Sequence, residues 1–189
     1  RVPDFQTPIG IIEMASYLRQ EIPNISVSLL DISADLYLTY QNHASIPSMT
    51  VEEFTWKAID KCEYQPDIIG ISILYSSSFN SSMLIADMAR KKWPDATIVC
   101  GGIHATHYAN YILDNPSVDW VVRGEGELSF TEFVRKIGNE EDPGDVLGIV
   151  NKEQAQQQNL HDQMSPMLQD LDLLPIPAYD LLDMELYIS

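Results

Sequence analysis

Two short apolar runs, joined by a helix-forming segment, constrain the fold of this chain more than any other feature. Residues 68–74 are almost continuously apolar, which is typical of a strand buried on both faces of a parallel sheet. Residues 97–100 form a second run, ended by Gly101 and Gly102. Between them, residues 78–93 place Met83, Ala86 and Ala89 on one helical face. This order predicts a βαβ unit with a right-handed crossover.

The same alternation continues in both directions. Further strands are predicted at 27–32, 118–122 and 146–150, the last at a sheet edge, and further helices at 8–21, 104–113 and 127–137. Thr50 and Glu53 form a capping box that opens a helix to about residue 63. Residues 33–48 and 154–158 are predicted to be irregular and solvated. We therefore predict an α/β fold with an open, doubly wound parallel sheet, Rossmann-like or flavodoxin-like, of about five strands. Because the chain opens on a helix, we expect the first strand upstream of Arg1.

The character of the chain changes near its end. Pro166, Pro175 and Pro177 interrupt any helix from Met164 onward, while several leucines keep the segment apolar. We predict an α/β domain over 1–150 and a linker or strap over 151–189 that leads into a following domain. The alternative is a C-terminal arm that closes the same domain.

Charge and cysteine content exclude several classes of function. The 11 basic and 28 acidic residues give a net charge of −17, which disfavours nucleic acid and anionic membranes as partners. No apolar run approaches the ~20 residues of a membrane span. Cys62 and Cys100 form no close pair, and His104 and His107 have no obvious third ligand. We expect no metal site here, and two lone cysteines fit a cytoplasmic protein.

In an open parallel sheet, ligands bind beyond the carboxyl ends of the strands. Ser72-Ile73-Leu74 is separated from Gly101-Gly102 by residues 75–100, the length of one helix plus one strand, so the two turns should lie side by side. The hydroxyl groups after residue 74 can cap the next helix or line a pocket. The glycine pair can form a tight turn or admit a bulky ligand.

The S-x-L…G-G pattern at this spacing resembles cobalamin (vitamin B12)-binding domains. In that family the serine meets the benzimidazole tail of the cofactor, which leaves cobalt and enters a slot in the sheet, and the glycines give the tail room. Residues 7–10, 99–106, 118–127 and 174–177 are similar to the N-terminal half of cobalamin-dependent radical S-adenosylmethionine enzymes. These include methyltransferases and the anaerobic magnesium-protoporphyrin IX monomethyl ester cyclases.

The resemblance implies which residues bind the cofactor and which part of the longer protein carries out the reaction. Gln6 stands where better-known cobalamin domains have a cobalt-binding histidine, so we expect base-off cobalamin without a histidine ligand. The C-x-x-x-C-x-x-C motif is absent, so the 4Fe-4S cluster and S-adenosylmethionine would belong to the protein's own radical domain beyond Ser189. That domain would act on a small-molecule substrate, and this chain would contain no catalytic residue. The cofactor-binding residues would be Gln6, Pro8, Gly10, Ser72, Leu74, Tyr75, Ser76, Ser77, Gly101, Gly102, Ile103, His104, Arg123, Gly124 and Glu125.

Competing classes fit the residues less well. A response-regulator receiver needs an aspartate where Ser72-Ile73-Leu74 stands, and a dinucleotide-binding domain needs G-x-G-x-x-G after its first strand. Gly124-x-Gly126 follows a late strand and lacks the third glycine. A flavodoxin-like FMN module and a cofactor-free interaction domain stay open as alternatives. Arg123 and Glu125 could also form a local ion pair instead of approaching a cofactor.

Overall fold

The computed structural model describes residues 6–42, 49–157 and 163–188. Within these ranges the sheet has four strands in the order β1-β2-β3-β4. The first two pairs are parallel and the last pair is antiparallel. The prediction of an open parallel α/β sheet is confirmed for the first three strands; the late strand lies at an edge, as predicted, but is antiparallel to its neighbour. The strands are β1 (Ile68–Ser72), β2 (Thr97–Gly101), β3 (Trp120–Val122) and β4 (Ile149–Asn151).

Helices cover both faces of this sheet, as the βαβ order requires. The described helices are α1 (Ile9–Glu21), α2 (Ile32–Asn42), α3 (Val51–Asp60), α4 (Phe79–Lys92), α5 (Ile103–His107), α6 (Ala109–Leu113), α7 (Gly126–Gly138), α8 (Lys152–Gln157) and α9 (Glu185–Ile188), with 3-10 turns at Ser76–Ser78, Leu171–Leu173 and Tyr179–Leu181. No helix in the described ranges is long and apolar enough to cross a membrane.

The reversed direction of β4 follows from the path of the chain after α7. Residues 139–148 return to the carboxyl edge of the sheet, where the backbone N–H of Arg123 donates to the carbonyl of Gly148 at 2.8 Å. Strand β4 then runs away from the carboxyl edge, antiparallel to β3. An antiparallel edge strand on an otherwise parallel sheet is a common arrangement.

The core is divided by the sheet into two apolar layers. On one face Ile73, Ile98 and Val121 pack against α4, α5 and α6. On the other face Phe133 of α7 is fully buried among Val99, Val122 and Ile149, and its ring contacts those of Trp120 and Phe130. Helix α3 is joined to the first layer by Lys92, whose Nζ donates to the carbonyls of Ile59, Asp60 and Cys62 at 2.9–3.0 Å.

Three predictions about helices are wrong, two of them because local capping was overlooked. Asp31 Oδ1 accepts hydrogen bonds from the N–H groups of Ser33 and Ala34, so α2 occupies 32–42 instead of a loop; residues 43–48 lie outside the described ranges. Asn151 and Gln154 cap α8 reciprocally, at 2.9 and 3.0 Å, so 152–157 is helical. The helix predicted at 104–113 is two helices, because Tyr108 leaves helical geometry with φ −122°.

The strand predicted at 27–32 is also wrong, and for a different reason. Burial alternates along this segment as in a strand: Ile25, Val27 and Leu29 are half-buried, whereas Ser26 and Ser28 are exposed. Among the described residues, however, no neighbouring strand pairs with it. Without a ladder of backbone hydrogen bonds, an alternating sequence is extended chain and not part of a sheet.

The C-terminal segment packs along α1. The N–H of Ala178 donates to the carbonyl of Ile12 at 3.0 Å, Arg19 forms a 2.8 Å ion pair with Asp180, and Tyr187 donates a 2.6 Å hydrogen bond to Asp31. The predicted strap is therefore extended with short helical turns, and it holds α1 against the body.

Candidate functional site

A cleft of ≈2570 Å³ opens at the carboxyl edge of the sheet and continues downward beside β1. The turns after β1, β2 and β3 and the start of α1 form its mouth. The structure thereby brings together most of the residues predicted from sequence. Those that line the cleft are Gln6, Pro8, Gly10, Ser72, Leu74, Tyr75, Gly101, Gly102, Ile103, Gly124 and Glu125.

Some hydroxyl groups of the turn after β1 line the cleft, and others form hydrogen bonds within the protein. Ser72 is exposed at the end of the strand and lines the cleft. Ser76 Oγ and His104 Nδ1 share a 3.0 Å hydrogen bond, while Ser78 donates to the carbonyl of Tyr75 at 2.7 Å. Ser76 and Ser77 are not among the lining residues. Part of the serine run thus stabilises the turn, and Ser72 is the hydroxyl best placed for a ligand.

The turn after β2 requires a glycine at position 102 for reasons internal to the protein. Gly102 has φ +97°, and a Cβ there would lie 2.8 Å from the carbonyl oxygen of Ile73. That carbonyl accepts a hydrogen bond from the N–H of His104 at 3.0 Å. The close approach of the two turns therefore depends on Gly102. By contrast, a Cβ on Gly101 would make an ordinary 3.7 Å contact with Val122.

The two described histidines of this turn have different environments. The ring of His104 is buried, stacks on Tyr108 at 4.6 Å and tilts against Phe79 at 5.5 Å. It supports the wall of the cleft without lining it. His107 is exposed and lines the cleft. No group of three or more His, Cys, Asp or Glu suited to a metal occurs in the described ranges.

Thr106 and Arg123 connect the turn after β2 to the turn after β3. Thr106 Oγ1 accepts from the N–H of Gly124 at 2.9 Å and donates to the carbonyl of Gly102 at 3.1 Å. Arg123 donates to the carbonyls of Thr106 and Gln163 at 3.1 and 2.9 Å, and burial lowers the pKa of its guanidinium. Arg123 does not line the cleft. Its contacts join the cleft wall to the strap.

Glu127 is an acidic group in this wall that the sequence prediction omitted. Burial raises the pKa of its carboxyl, and the nearby charges of Glu125 and Glu13 raise the pKa further. His107 and Met164 were omitted as well, although both line the cleft. Glu127 and His107 lie inside the turns that the sequence predicts at residues 123–128 and 101–107, so the sequence contained a signal for both. The position of Met164 depends on how the strap packs.

The mouth of the cleft combines apolar side chains and hydrogen-bonding groups with the carboxyl groups of Glu125 and Glu127. Leu74, Tyr75 and Ile103 expose 49–66% of their surface there, next to the Ser72 hydroxyl and the backbone of Gly101. A Cβ on Gly10 would have no heavy atom within 4 Å, so the entrance is open. Such a surface suits a large ligand with both apolar and hydrogen-bonding groups.

Comparison with known proteins agrees with this arrangement. The chain is 31% identical over 181 residues to an uncharacterized methyltransferase of Pyrococcus horikoshii, covering 95% of this chain and 35% of that protein. It is 28% identical over 192 residues to an anaerobic magnesium-protoporphyrin IX monomethyl ester cyclase of Synechocystis, covering 99% of this chain and 34% of the cyclase. The chain thus spans about a third of the length of these curated relatives.

A solved structure supports the fold. It is the radical S-adenosylmethionine methyltransferase TsrM from Kitasatospora setae with cobalamin and a [4Fe-4S] cluster bound, which superposes with a TM-score of 0.59 at 17% identity over 78% of this chain and 26% of TsrM. The family model of the B12 binding domain matches residues 2–134, which include the turns after β1, β2 and β3. With the cleft formed by these same turns, the chain belongs to the B12-binding domain family.

Proposed function

We propose that this domain holds cobalamin in the cleft, as the N-terminal part of a radical S-adenosylmethionine enzyme that modifies a small organic substrate by methyl transfer or ring cyclisation. The observation that carries the proposal is the convergence of the turns after β1, β2 and β3 and the start of α1 on one open cleft. Family membership supports the cofactor, and the relatives support the enzyme class.

The residues of the cleft fit this cofactor. The tail would lie between the turn at residues 72–77 and the turn at 101–104, with the Ser72 hydroxyl available to a ring nitrogen. Leu74, Tyr75 and Ile103 would meet the apolar parts of the corrin. When bound, cobalamin supplies a cobalt centre for group-transfer or radical chemistry. The chain's own residues bind and orient it.

We infer that no histidine replaces the tail on cobalt. Gln6 lines the cleft at the position of the family's histidine. His104 is buried, and its Nδ1 is hydrogen-bonded to Ser76. His107 is the described histidine that lines the cleft, so it is the group to test as an alternative ligand.

The iron–sulfur chemistry would come from another part of the longer protein. Cys100 is fully buried, and burial raises the pKa of its thiol to about 12, so it stays a neutral thiol. Cys62 is half-buried and lines the cleft. The 4Fe-4S cluster, S-adenosylmethionine and the substrate would bind in a radical domain that follows the strap. The two free thiols suit a reducing cytoplasm.

The cofactor is tested with the full-length natural protein, reconstituted with cobalamin and freed of excess ligand. We expect the visible bands of cobalamin to remain with the protein. In the Co(II) state, electron paramagnetic resonance should show no nitrogen superhyperfine splitting. A splitting that disappears in His107→Ala would identify His107 as a ligand and overturn the histidine-free assignment. Flavin fluorescence or the absence of any retained cofactor would overturn cobalamin binding.

The location of the cofactor at the mouth of the cleft is tested by a matched pair of glycine substitutions. Gly102 is unsuitable, because any side chain there collides with Ile73 even without a cofactor. Gly10 and Gly138 both line the cleft, and a Cβ on either meets nothing within 4 Å. Gly10 lies at the mouth of the cleft. Gly138 lies at the carboxyl end of α7, away from the mouth. Gly10→Phe should weaken cobalamin retention at least tenfold, and Gly138→Phe should leave it unchanged. Equal retention in both variants would contradict the placement.

A further inference from the structure

The C-terminal strap contributes a side chain to the mouth of the cleft. Met164 lines the cleft together with Gly124 and Glu125 of the turn after β3, and 40% of its surface is exposed. A Cβ on Gly124 would lie 3.3 Å from Met164 Cε, so the terminal methyl group rests against the backbone of that turn. The family model of the B12 binding domain matches residues 2–134. Met164 therefore lies outside the part of the chain that the match covers.

Hydrogen bonds fix the strap on both sides of Met164. The N–H of Ser165 donates to the carbonyl of Arg123 at 2.8 Å, and the N–H of Arg123 donates to the carbonyl of Gly148 at 2.8 Å. The Arg123 guanidinium donates to the carbonyl of Gln163 at 2.9 Å. The residues before and after Met164 are thus both attached to the end of β3, and this attachment holds the Met164 side chain at the cleft.

Ser165 occupies a seat that leaves room for a small side chain only. Gly124 and Gly148 have φ +91° and +86°, and a Cβ on Gly148 would collide with both the side chain and the backbone of Ser165. Ser165 is buried, and its Oγ has no hydrogen-bond partner within the described ranges. Small size, and not a hydrogen bond of the hydroxyl, therefore fits Ser165 between the two glycines.

The chemistry of Met164 suits contact with a large ligand. A methionine side chain is flexible and polarizable, so it adapts to an irregular apolar surface. The part of Met164 that faces the cleft is still in contact with water, and a ligand that covers it gains the free energy of burying apolar area. Leu74, Tyr75 and Ile103 offer similar exposed apolar surface from the turns after β1 and β2.

We propose that Met164 is a cofactor-contacting residue supplied by the strap, and that Ser165, Arg123 and Gly148 are positioning residues that hold it at the mouth. The inference rests on the proposed cobalamin site, in which Met164 would pack against an apolar part of the corrin. The cofactor site then extends beyond the region that matches the family model. Because coupling between two binding events is reciprocal, the bound cofactor also stabilises the strap in its seat.

The contact is tested by the affinity of the full-length natural protein for cobalamin, measured by equilibrium dialysis with visible absorption. Met164→Ala should weaken binding about tenfold, because it removes apolar surface that the cofactor buries. Met164→Leu keeps this surface and should bind within about twofold of the natural protein. Met167→Ala is the matched control, since Met167 is 66% exposed on the same strap and is not among the described residues that line the cleft. It should change the affinity less than about twofold.

A spectroscopic measurement reports the contact independently of affinity. In protein with isotope-labelled methionine methyl groups, Met164→Leu and Met167→Leu assign the two signals in the nuclear magnetic resonance spectrum. Reduction of bound cobalamin from Co(III) to paramagnetic Co(II) should broaden the Met164 signal beyond detection, and the Met167 signal should stay visible.

The positioning role is tested at Ser165. Ser165→Ala keeps the small size and should leave the affinity within about twofold, because the hydroxyl has no described partner. Ser165→Leu does not fit between Gly124 and Gly148, so it should weaken binding about as much as Met164→Ala does. The double variant Ser165→Leu with Met164→Ala should bind no more weakly than either single variant, because the two changes remove the same contact.

The possible failures are distinguishable. If the natural protein retains no cobalamin, the proposed function is wrong and this inference is wrong with it. If cobalamin is retained with equal affinity by Met164→Ala and Met167→Ala, this inference alone is overturned. A Met164→Ala variant that unfolds at a lower temperature without cofactor, yet binds cobalamin with unchanged affinity, would mean that Met164 only packs the strap onto the turn.

Discussion

Two regions of this molecule have similar sequences but adopt different structures. Residues 97–101 and 25–31 are both short apolar segments with strand-like composition. The first lies between two partner strands, and Ile98 and Cys100 are fully buried. The second has no described partner, and Leu30 keeps 38% of its surface exposed. The comparison shows that an extended sequence becomes a strand only where a neighbour completes its hydrogen bonds, since propensity for the strand is a matter of context.

The same contrast separates the structural from the ligand-facing parts of the cleft. On the paired side, Thr106, Arg123 and Gly102 hold the turns together through short contacts. On the open side, Gly10 and the start of α1 border free space. The paired side supplies the wall of the cleft, and the open side leaves room for a ligand.

The largest effect on the free energy of unfolding is expected from a substitution in the core next to the paired strands. In the 189-residue chain, Phe133→Ala removes a fully buried ring from the layer under α7. It should lower the free energy of unfolding by about 3–5 kcal/mol, as is usual for a buried aromatic. Leu30→Ala on the open side should cost less than about 1 kcal/mol. Urea unfolding followed by circular dichroism measures both. Equal losses would show that the two sides are packed alike.

A smaller effect is expected at the contact by which Lys92 attaches α3 to the first apolar layer of the core. Lys92→Met removes the hydrogen bonds to the carbonyls of Ile59, Asp60 and Cys62 at the end of α3. It should lower the free energy of unfolding by about 1–2 kcal/mol. The exposed neighbour Lys91→Met should change it by less than about 0.5 kcal/mol. The thermal unfolding midpoints of the two variants are measured in parallel. Indistinguishable midpoints would contradict a stabilising role for Lys92.

The smallest effect tests the electrostatics of the cleft wall. Burial and two neighbouring carboxylates raise the pKa of Glu127 above its ordinary value of 4.5, so the fold favours its neutral form. Its contribution to stability is therefore present below pH 4.5 and is lost as pH rises through the folded pKa. Glu127→Gln should stabilise the chain slightly at neutral pH, and this gain should vanish in acid. The substitution Glu63→Gln at an exposed position serves as the control. Unfolding measured across this range would contradict the assignment if the Glu127→Gln difference stayed constant.

Several features could be predicted from the sequence because they depend on neighbours along the chain. The capping box at Thr50 and Glu53 is present as predicted, and β1 and β2 lie within the apolar runs that predicted them. The spacing from Ser72 to Gly101 covers one helix and one strand, so both turns had to meet at one edge. Asp31, Asn151 and Gln154 show that local capping signals were also present where the prediction placed loops.

Sequence by itself determined the order of elements and the positions of the turns, because periodicity and capping are local. Only the tertiary structure decided which predicted residues face the cleft. Ser76 and His104 satisfy each other, Arg123 is used by the strap, and Gly102 is required by the carbonyl of Ile73. It also decided that residues 25–31 have no strand partner among the described residues and that β4 is antiparallel. These outcomes depend on contacts between segments far apart in sequence, and a local pattern does not specify which partner a side chain or a strand edge will meet.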